Sequence, residues 1–187
     1  MKIMTLNLLG IMLITIFPSF KNNLYSQTNM QNYPTPAVTD NFLFFIQRSM
    51  NKNTIAYELN IDKYGKLDNN KPIHPYWIRY EEGGKKQELS YIQESYAYGT
   101  EANLTNKKEL IFNITLVSYP KQQIVLKKIP GNTKMKAYTS VNGKLIELQK
   151  IFFKTDGGTF WSPNIVYIDI SGIDLKTGKY ITERTLP

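Results

Sequence analysis

The chain has 187 residues, room for one domain of ordinary size and too few for two. It is 42% hydrophobic and 13% aromatic, which excludes a wholly disordered protein. The formal net charge is +8 and there is no cysteine, so disulfides, zinc–thiolate sites and thiol nucleophiles are excluded as well.

Lys2 is followed by an apolar run from Ile3 to Phe17, interrupted only by Thr5, Asn7 and Thr15, and Pro18 breaks it. A short polar stretch, Lys21 to Gln27, then carries the small residue Ser26. Charge, apolar run and small residue in that order describe a secretory signal peptide over residues 1–26. The run is shorter than the roughly 20 residues that a membrane span needs. Without a cysteine there is no lipid-attachment site, so the expectation is an exported protein of the periplasm or extracellular space with no stable membrane anchor after cleavage. Residues 27–40, with Pro34 and Pro36, read as a flexible lead-in, and residues 41–187 as a single β-rich domain.

Phe42 to Arg48 is a strand with apolar residues on both faces: Phe42, Phe44 and Ile46 on one, Leu43 and Phe45 on the other. Thr54 to Ile61 alternates, placing Ile55, Tyr57, Leu59 and Ile61 together, and the two segments form a predicted hairpin. A short strand around Tyr76 to Tyr80 follows Pro72 and Pro75 and ends at Gly83-Gly84. From Glu88 the period changes. Leu89, Ile92 and Tyr96, with Ala97 beside them and Gly99 just after, predict a short amphipathic helix with a glycine C-cap. Period two then returns in Glu109–Val117, Gln122–Lys128, Lys134–Val141, Lys144–Phe153, Asn164–Ile170 and Lys179–Glu183. Asn142-Gly143 is a hairpin turn, since both residues tolerate positive φ. The whole reads as mainly β: about nine short antiparallel strands and one helix, closed as a sandwich or as a barrel.

No catalytic set emerges. His74 is the single histidine, in Pro72-Ile73-His74-Pro75-Tyr76-Trp77, and reads as a loop residue at a strand entry; a general base would need a nucleophile and an orienting partner beside it. One histidine and no cysteine exclude the usual zinc sets, and no metal or cofactor is expected. Arg48 and Arg79 stand out in a lysine-rich chain because a guanidinium grips carboxylate or phosphate through two bonds, although pairing with Glu58, Glu81 or Glu94, or plain exposure, is the default reading of both. Aromatics cluster at Tyr76, Trp77, Tyr80, Tyr91, Tyr96 and Tyr98, where core packing is the default, and Trp161 lies in the loop Gly157–Pro163. The lysine pairs Lys107-Lys108 and Lys127-Lys128 read as solvated strand edges rather than as a nucleic-acid surface.

The run Phe45-Ile46-Gln47-Arg48-Ser49, then Asn53-Thr54-Ile55, Pro75-Tyr76-Trp77-Ile78-Arg79-Tyr80 and Ala97-Tyr98-Gly99, resembles the exported bacterial proteins of domain of unknown function 4833. So do Phe160-Trp161-Ser162-Pro163 and Thr177-Gly178-Lys179. The likeness covers roughly Asp40 to Glu183 and implies one complete exported domain, without supplying catalytic residues. The ligand-binding residues expected are Arg48, His74, Tyr76, Trp77, Arg79, Tyr98 and Trp161, in an extracytoplasmic binding or interaction module. Its partner would be an anionic small molecule, a glycan or an envelope protein. A hydrolase-like enzyme using His74, and a structural envelope-assembly protein, are the alternatives.

Overall fold

A computed structural model describes residues 33–131, 133–159 and 162–187. The expected signal peptide and Trp161 lie outside these residues. The protein is mainly β, 57% strand with one short helix. The strands are β1 (Phe42–Arg48), β2 (Thr54–Leu59), β3 (Ile73–Arg79), β4 (Lys85–Glu88), β5 (Thr100–Asn106), β6 (Ile111–Leu116), β7 (Tyr119–Lys127), β8 (Lys136–Val141), β9 (Lys144–Gly158), β10 (Pro163–Asp174) and β11 (Tyr180–Thr185). A helix, α1 (Tyr91–Gln93), runs on into a π turn (Glu94–Tyr98).

Eleven strands stand where about nine are expected. The two added are β4, whose Lys-Lys-Gln-Glu is exposed throughout, and β5, whose inward residues Ala102 and Leu104 are modest. Neither carries the apolar alternation that marks a strand in sequence. A second difference is direction. The hairpin-linked neighbours are antiparallel, but β1 and β9 pair in parallel, Phe45 to Arg48 against Lys150 to Phe153. Hairpin logic says nothing about strands a hundred residues apart, and here the long separation supplies the crossover that a parallel pair needs.

β9 organises the sheet. Its first half pairs with β8, its second half with β1, and its opposite edge runs along β10. Where the partner changes, β9 carries an extra residue, Gln149: Ser171 faces Lys150 and Gly172 faces Leu148. The backbones approach so closely there that a Cβ on Gly172 would lie 2.1 Å from the Glu147 carbonyl oxygen. The resulting order is β4-β3-β2-β1-β9-β8-β7-β6-β5. Along this order β3 and β5 are seven strand steps apart. Yet Tyr98, which leads into β5, packs its ring 5.2 Å from Trp77 on β3. The sheet is therefore a curled half-barrel, and its inner face encloses the main core.

That core takes Phe44, Ile46, Ile55, Tyr57 and Trp77 from one arm and Phe112, Ile114, Leu116, Ile124 and Leu126 from the other. A smaller cluster on the outer face joins Phe42, Phe45, Ala56, Tyr76 and Ile78. The alternation expected in β1 is broken by a bulge between Phe42 and Phe44, which turns Phe42 outward beside Phe45 and Leu43 inward beside Phe44. Asn142 and Gly143 adopt φ of 48° and 72° at the tip of the β8–β9 hairpin, as the sequence predicts.

The described end of the lead-in lies along the outer face. Tyr33 packs on Phe152, the Gln47 amide donates to the Pro34 carbonyl at 3.3 Å, Pro36 is buried, and Thr39 donates to Glu58 at 3.1 Å.

The helix differs from its predicted form. Ser90 caps it, accepting from the Gln93 amide while the Gln93 side chain reaches back to the Ser90 N–H. The next turn widens, so that Gly99 N–H donates to the Glu94 carbonyl at 2.8 Å. This extra residue per turn rotates the expected apolar face: Leu89, Ala97 and Tyr98 meet the core, whereas Ile92 and Tyr96 face solvent. Gly99 is extended, not left-handed, and is needed for a different reason. A Cβ there would lie 2.2 Å from the Glu94 carbonyl oxygen.

Candidate functional site

β3 begins at Ile73, so His74 lies within the strand rather than in a loop before it. Strand alternation then divides the expected site. Ile73 and Trp77 point into the main core, whereas Tyr76 and Ile78 belong to the outer cluster. His74 shares the outer face with Tyr76, their ring centroids 5.6 Å apart. One concave site cannot hold all of these residues.

The inner group is Arg48, Tyr98, Trp77 and Arg79. Arg48 closes β1 on the inward parity of Ile46, and its guanidinium carbon lies 5.6 Å from the Tyr98 ring centroid. Tyr98 is held from three sides: Arg48 against its ring, Trp77 edge-on at 76°, and the Tyr57 hydroxyl donating to its carbonyl at 2.9 Å. Burial pushes the Tyr98 phenol above its ordinary pKa, and the Arg48 cation partly offsets that shift. Arg79 sits 6.0 Å from the Trp77 ring, but its guanidinium also binds Glu82 through Nε and Nη2 at 3.1 and 2.8 Å. It is occupied by its own turn and stands at the margin of the group.

Arg48 and Tyr98 line a pocket of about 270 Å³. Its walls are Ile46 and Phe153 from paired strands, Pro163 and Ile165 from β10, Tyr96 and Ala97 from the π turn, and Ser118 from the β6–β7 turn. It is an apolar cleft with one guanidinium, one hydroxyl side chain and two phenols, a small version of the usual ligand-pocket chemistry. Tyr96, which faces solvent because of the π turn, forms part of its rim. Ser118, Phe153 and Ile165 were not expected as site residues. They come from the far arm and from β9 and β10, and only the curl of the sheet brings them to Arg48.

A second concavity lies in the β2–β3 loop, lined by Asn60, Asp62, Lys66 and Asp68 among others. Its carboxylates are consumed by the loop itself. Asp62 accepts from the amides of Tyr64 and Lys66, and Asp68 from those of Asn70 and Lys71. This arrangement builds turns rather than a site.

The outer group is a polar network. Tyr76 donates to Glu58 at 2.7 Å, Lys86 lies 3.6 Å from the same carboxylate and 4.5 Å from the Tyr76 ring, and His74 Nε2 lies 2.7 Å from Glu88. Burial, reinforced by the bond to Glu58, raises the Tyr76 pKa far above that of a free phenol. His74 has its orienting carboxylate, but it stands on an open strand face with 39% of its side chain exposed, and its neighbouring hydroxyl is committed to Glu58. Among the described residues no group of three or more potential ligands could hold a metal ion. No helix among them is long and apolar enough to cross a membrane, which says nothing of strands.

Residues 44–184 match the family model described as Domain of unknown function (DUF4833). The chain belongs to that family. No curated protein and no solved structure matches it. The DUF4833 match begins in β1 and ends in β11, so it takes in β2 to β10 whole together with Arg48, Tyr98 and the rest of the pocket wall.

Proposed function

We propose that this DUF4833 chain is an exported binding module that takes a small organic anion into the pocket between β1, the π turn and β9–β10. The observation that carries this reading is the Arg48 guanidinium set against the Tyr98 ring in a cleft whose other walls are mainly apolar. An acidic head would meet the planar fork of Arg48, and an aliphatic or aromatic body would lie on Ile46, Phe153 and Ile165. At about 270 Å³ the cleft fits a metabolite-sized ligand better than a polymer. A glycan or an envelope protein would have to bind at the rim, where Tyr96 is 71% exposed.

Export rests on the segment over residues 1–26, and N-terminal sequencing of protein from the periplasm or medium should begin near residue 27. We read the two arms as layers of a sandwich rather than as a closed barrel, because the strand order ends at β4 and β5 without joining them.

The test of binding is gentle native mass spectrometry of the exported protein from its own host. A persistent mass increment is expected, absent from an Arg48→Ala variant and weakened in Arg48→Lys, because a lysine cannot reproduce the two-bond grip. A bare mass, together with no thermal shift on screening small carboxylates and phosphates, would sink this reading and leave the envelope-assembly alternative.

A hydrolase-like reading has one observation in its favour, the 2.7 Å contact between His74 and Glu88. Among the described residues His74 lines neither pocket, and the hydroxyl beside it, that of Tyr76, is committed to Glu58.

A further inference from the structure

We propose that β5 is an interaction edge that pairs with β5 of a second copy of this chain, in antiparallel register about Asn103. Among the described residues three strands end the sheet: β4, β5 and β11. Proteins blunt such edges with short length, lysine, proline or charge. β4 is four residues long and carries Lys85 and Lys86, and β11 carries adjacent Glu183 and Arg184. β5 is seven residues long and carries one charge, Glu101, with neither lysine nor proline. Among the described residues its only strand neighbour is β6.

The chemistry of β5 selects a copy of itself as partner. Its inward residues Ala102 and Leu104 pack against the main core yet are only half-buried, because no strand flanks them on the far side. Centring an antiparallel pair on Asn103 sets Ala102 of each copy opposite Leu104 of the other, so both apolar contacts are completed twice. The same register places Glu101 opposite Thr105, and Lys107 opposite Gly99. No charge then faces its like, whereas like charges directly opposite would oppose pairing. Shifting the centre to Ala102 or Leu104 sets that residue against itself and leaves the other opposite Thr100 or Asn106. The bulge between Leu104 and Asn106 confines the regular ladder to the segment around Asn103. The interface is thus short and the association weak. It is isologous, so it closes at a dimer and does not grow into a fibre.

Sedimentation velocity of the mature full-length protein, from low micromolar to about 1 mM, should show a monomer–dimer equilibrium. Asn103→Lys, a change on an exposed side chain, would set two ammonium groups face to face at the two-fold axis and should weaken the dimer by about tenfold or more. Asn103→Ser should leave it intact. Because the chain has no cysteine, single-cysteine variants report the register directly. Paired residues in a β ladder lie at a Cα separation that a disulfide spans. Asn103→Cys should therefore oxidise to a covalent dimer at least about tenfold faster than Glu101→Cys, and a mixture of Glu101→Cys with Thr105→Cys should cross-link heterologously. A strict monomer at the highest concentration would overturn the proposal. So would a dimer indifferent to Asn103→Lys, or equal oxidation at positions 101 and 103. None of these outcomes bears on the Arg48 pocket.

Discussion

The hydroxyl of Tyr57, fully buried on β2, donates to the main-chain carbonyl of Tyr98, 2.9 Å away and 41 residues further along the chain. That one bond joins the two arms of the curled sheet directly behind the pocket. The Tyr57 ring is stacked on Phe44 at 4.5 Å, so replacing it by phenylalanine keeps the packing and removes only the donor. Tyr57→Phe should cost about 1–3 kcal/mol, the penalty for leaving a buried carbonyl without its partner. Urea unfolding monitored by circular dichroism measures this as a lower midpoint at unchanged slope. No change in midpoint would mean that the arms are held together by apolar contacts alone.

Gly99→Ala should be more damaging than its small size implies. The added methyl would meet the Glu94 carbonyl oxygen at 2.2 Å, and that oxygen already accepts the Gly99 N–H. Relief requires opening the π turn, which positions Tyr96, Ala97 and Tyr98 along the pocket wall. The expected loss is about 2–4 kcal/mol, at the upper end of single substitutions. Ligand binding at Arg48 should weaken in parallel, as read by a titration at a temperature where the variant remains folded. An alanine variant of wild-type stability would show that the turn relaxes without cost.

The fold was legible where one face of a strand is strongly apolar. Phe42–Arg48 appears with its predicted bounds, and the Asn142-Gly143 turn carries its own backbone signature. Strands were missed where burial does not write itself into the side chains: β4 is exposed on both faces, and β5 is an edge that places only Ala102 and Leu104 inward. The inward and outward sense of Phe42 and Leu43 was hidden by a bulge, and that of Ile92 and Tyr96 by a π turn. Each inserts one residue into a period that sequence reading takes as constant.

The candidate site was legible in part, for a related reason. Proximity in sequence grouped Tyr76 with Trp77, but alternation sends adjacent strand residues to opposite faces. Arg48 and Tyr98, fifty residues apart, do meet. Their union with Phe153 depends on the parallel β1–β9 pairing, which no local pattern encodes.

His74→Ala separates the outer network from function. His74 and Glu88 are exposed to 39% and 75% at their side chains, so their contact is a surface pair worth less than about 1 kcal/mol. The variant should keep near wild-type stability and full binding at the Arg48 pocket, because His74 lies on the other face of the sheet. Loss of a hydrolytic activity in this variant, with binding intact, would instead move the chemistry to the outer face. Activity assays against ester and glycoside substrates, run beside the binding titration, distinguish the two results.

Alkaline pH should unfold the protein through its buried phenols. Burial raises the pKa of Tyr57 well above the ordinary value of 10.0, with smaller upward shifts for Tyr80 and Tyr98; Tyr76 is raised by burial and by its bond to Glu58. In the unfolded chain these phenols lose their protons near pH 10, whereas the folded protein retains them. The folded state then binds more protons than the unfolded state, so stability falls as pH rises above about 10 and is unaffected by these groups below it. Urea midpoints should be flat in this respect to about pH 9 and decline beyond about pH 10. The phenolate absorbance of the buried group should appear only with the unfolding transition. Tyr57→Phe should reduce the alkaline slope, since it removes a phenol fully withheld from water. A midpoint that holds constant to pH 11 would mean that the two arms part locally and let Tyr57 ionise without global unfolding.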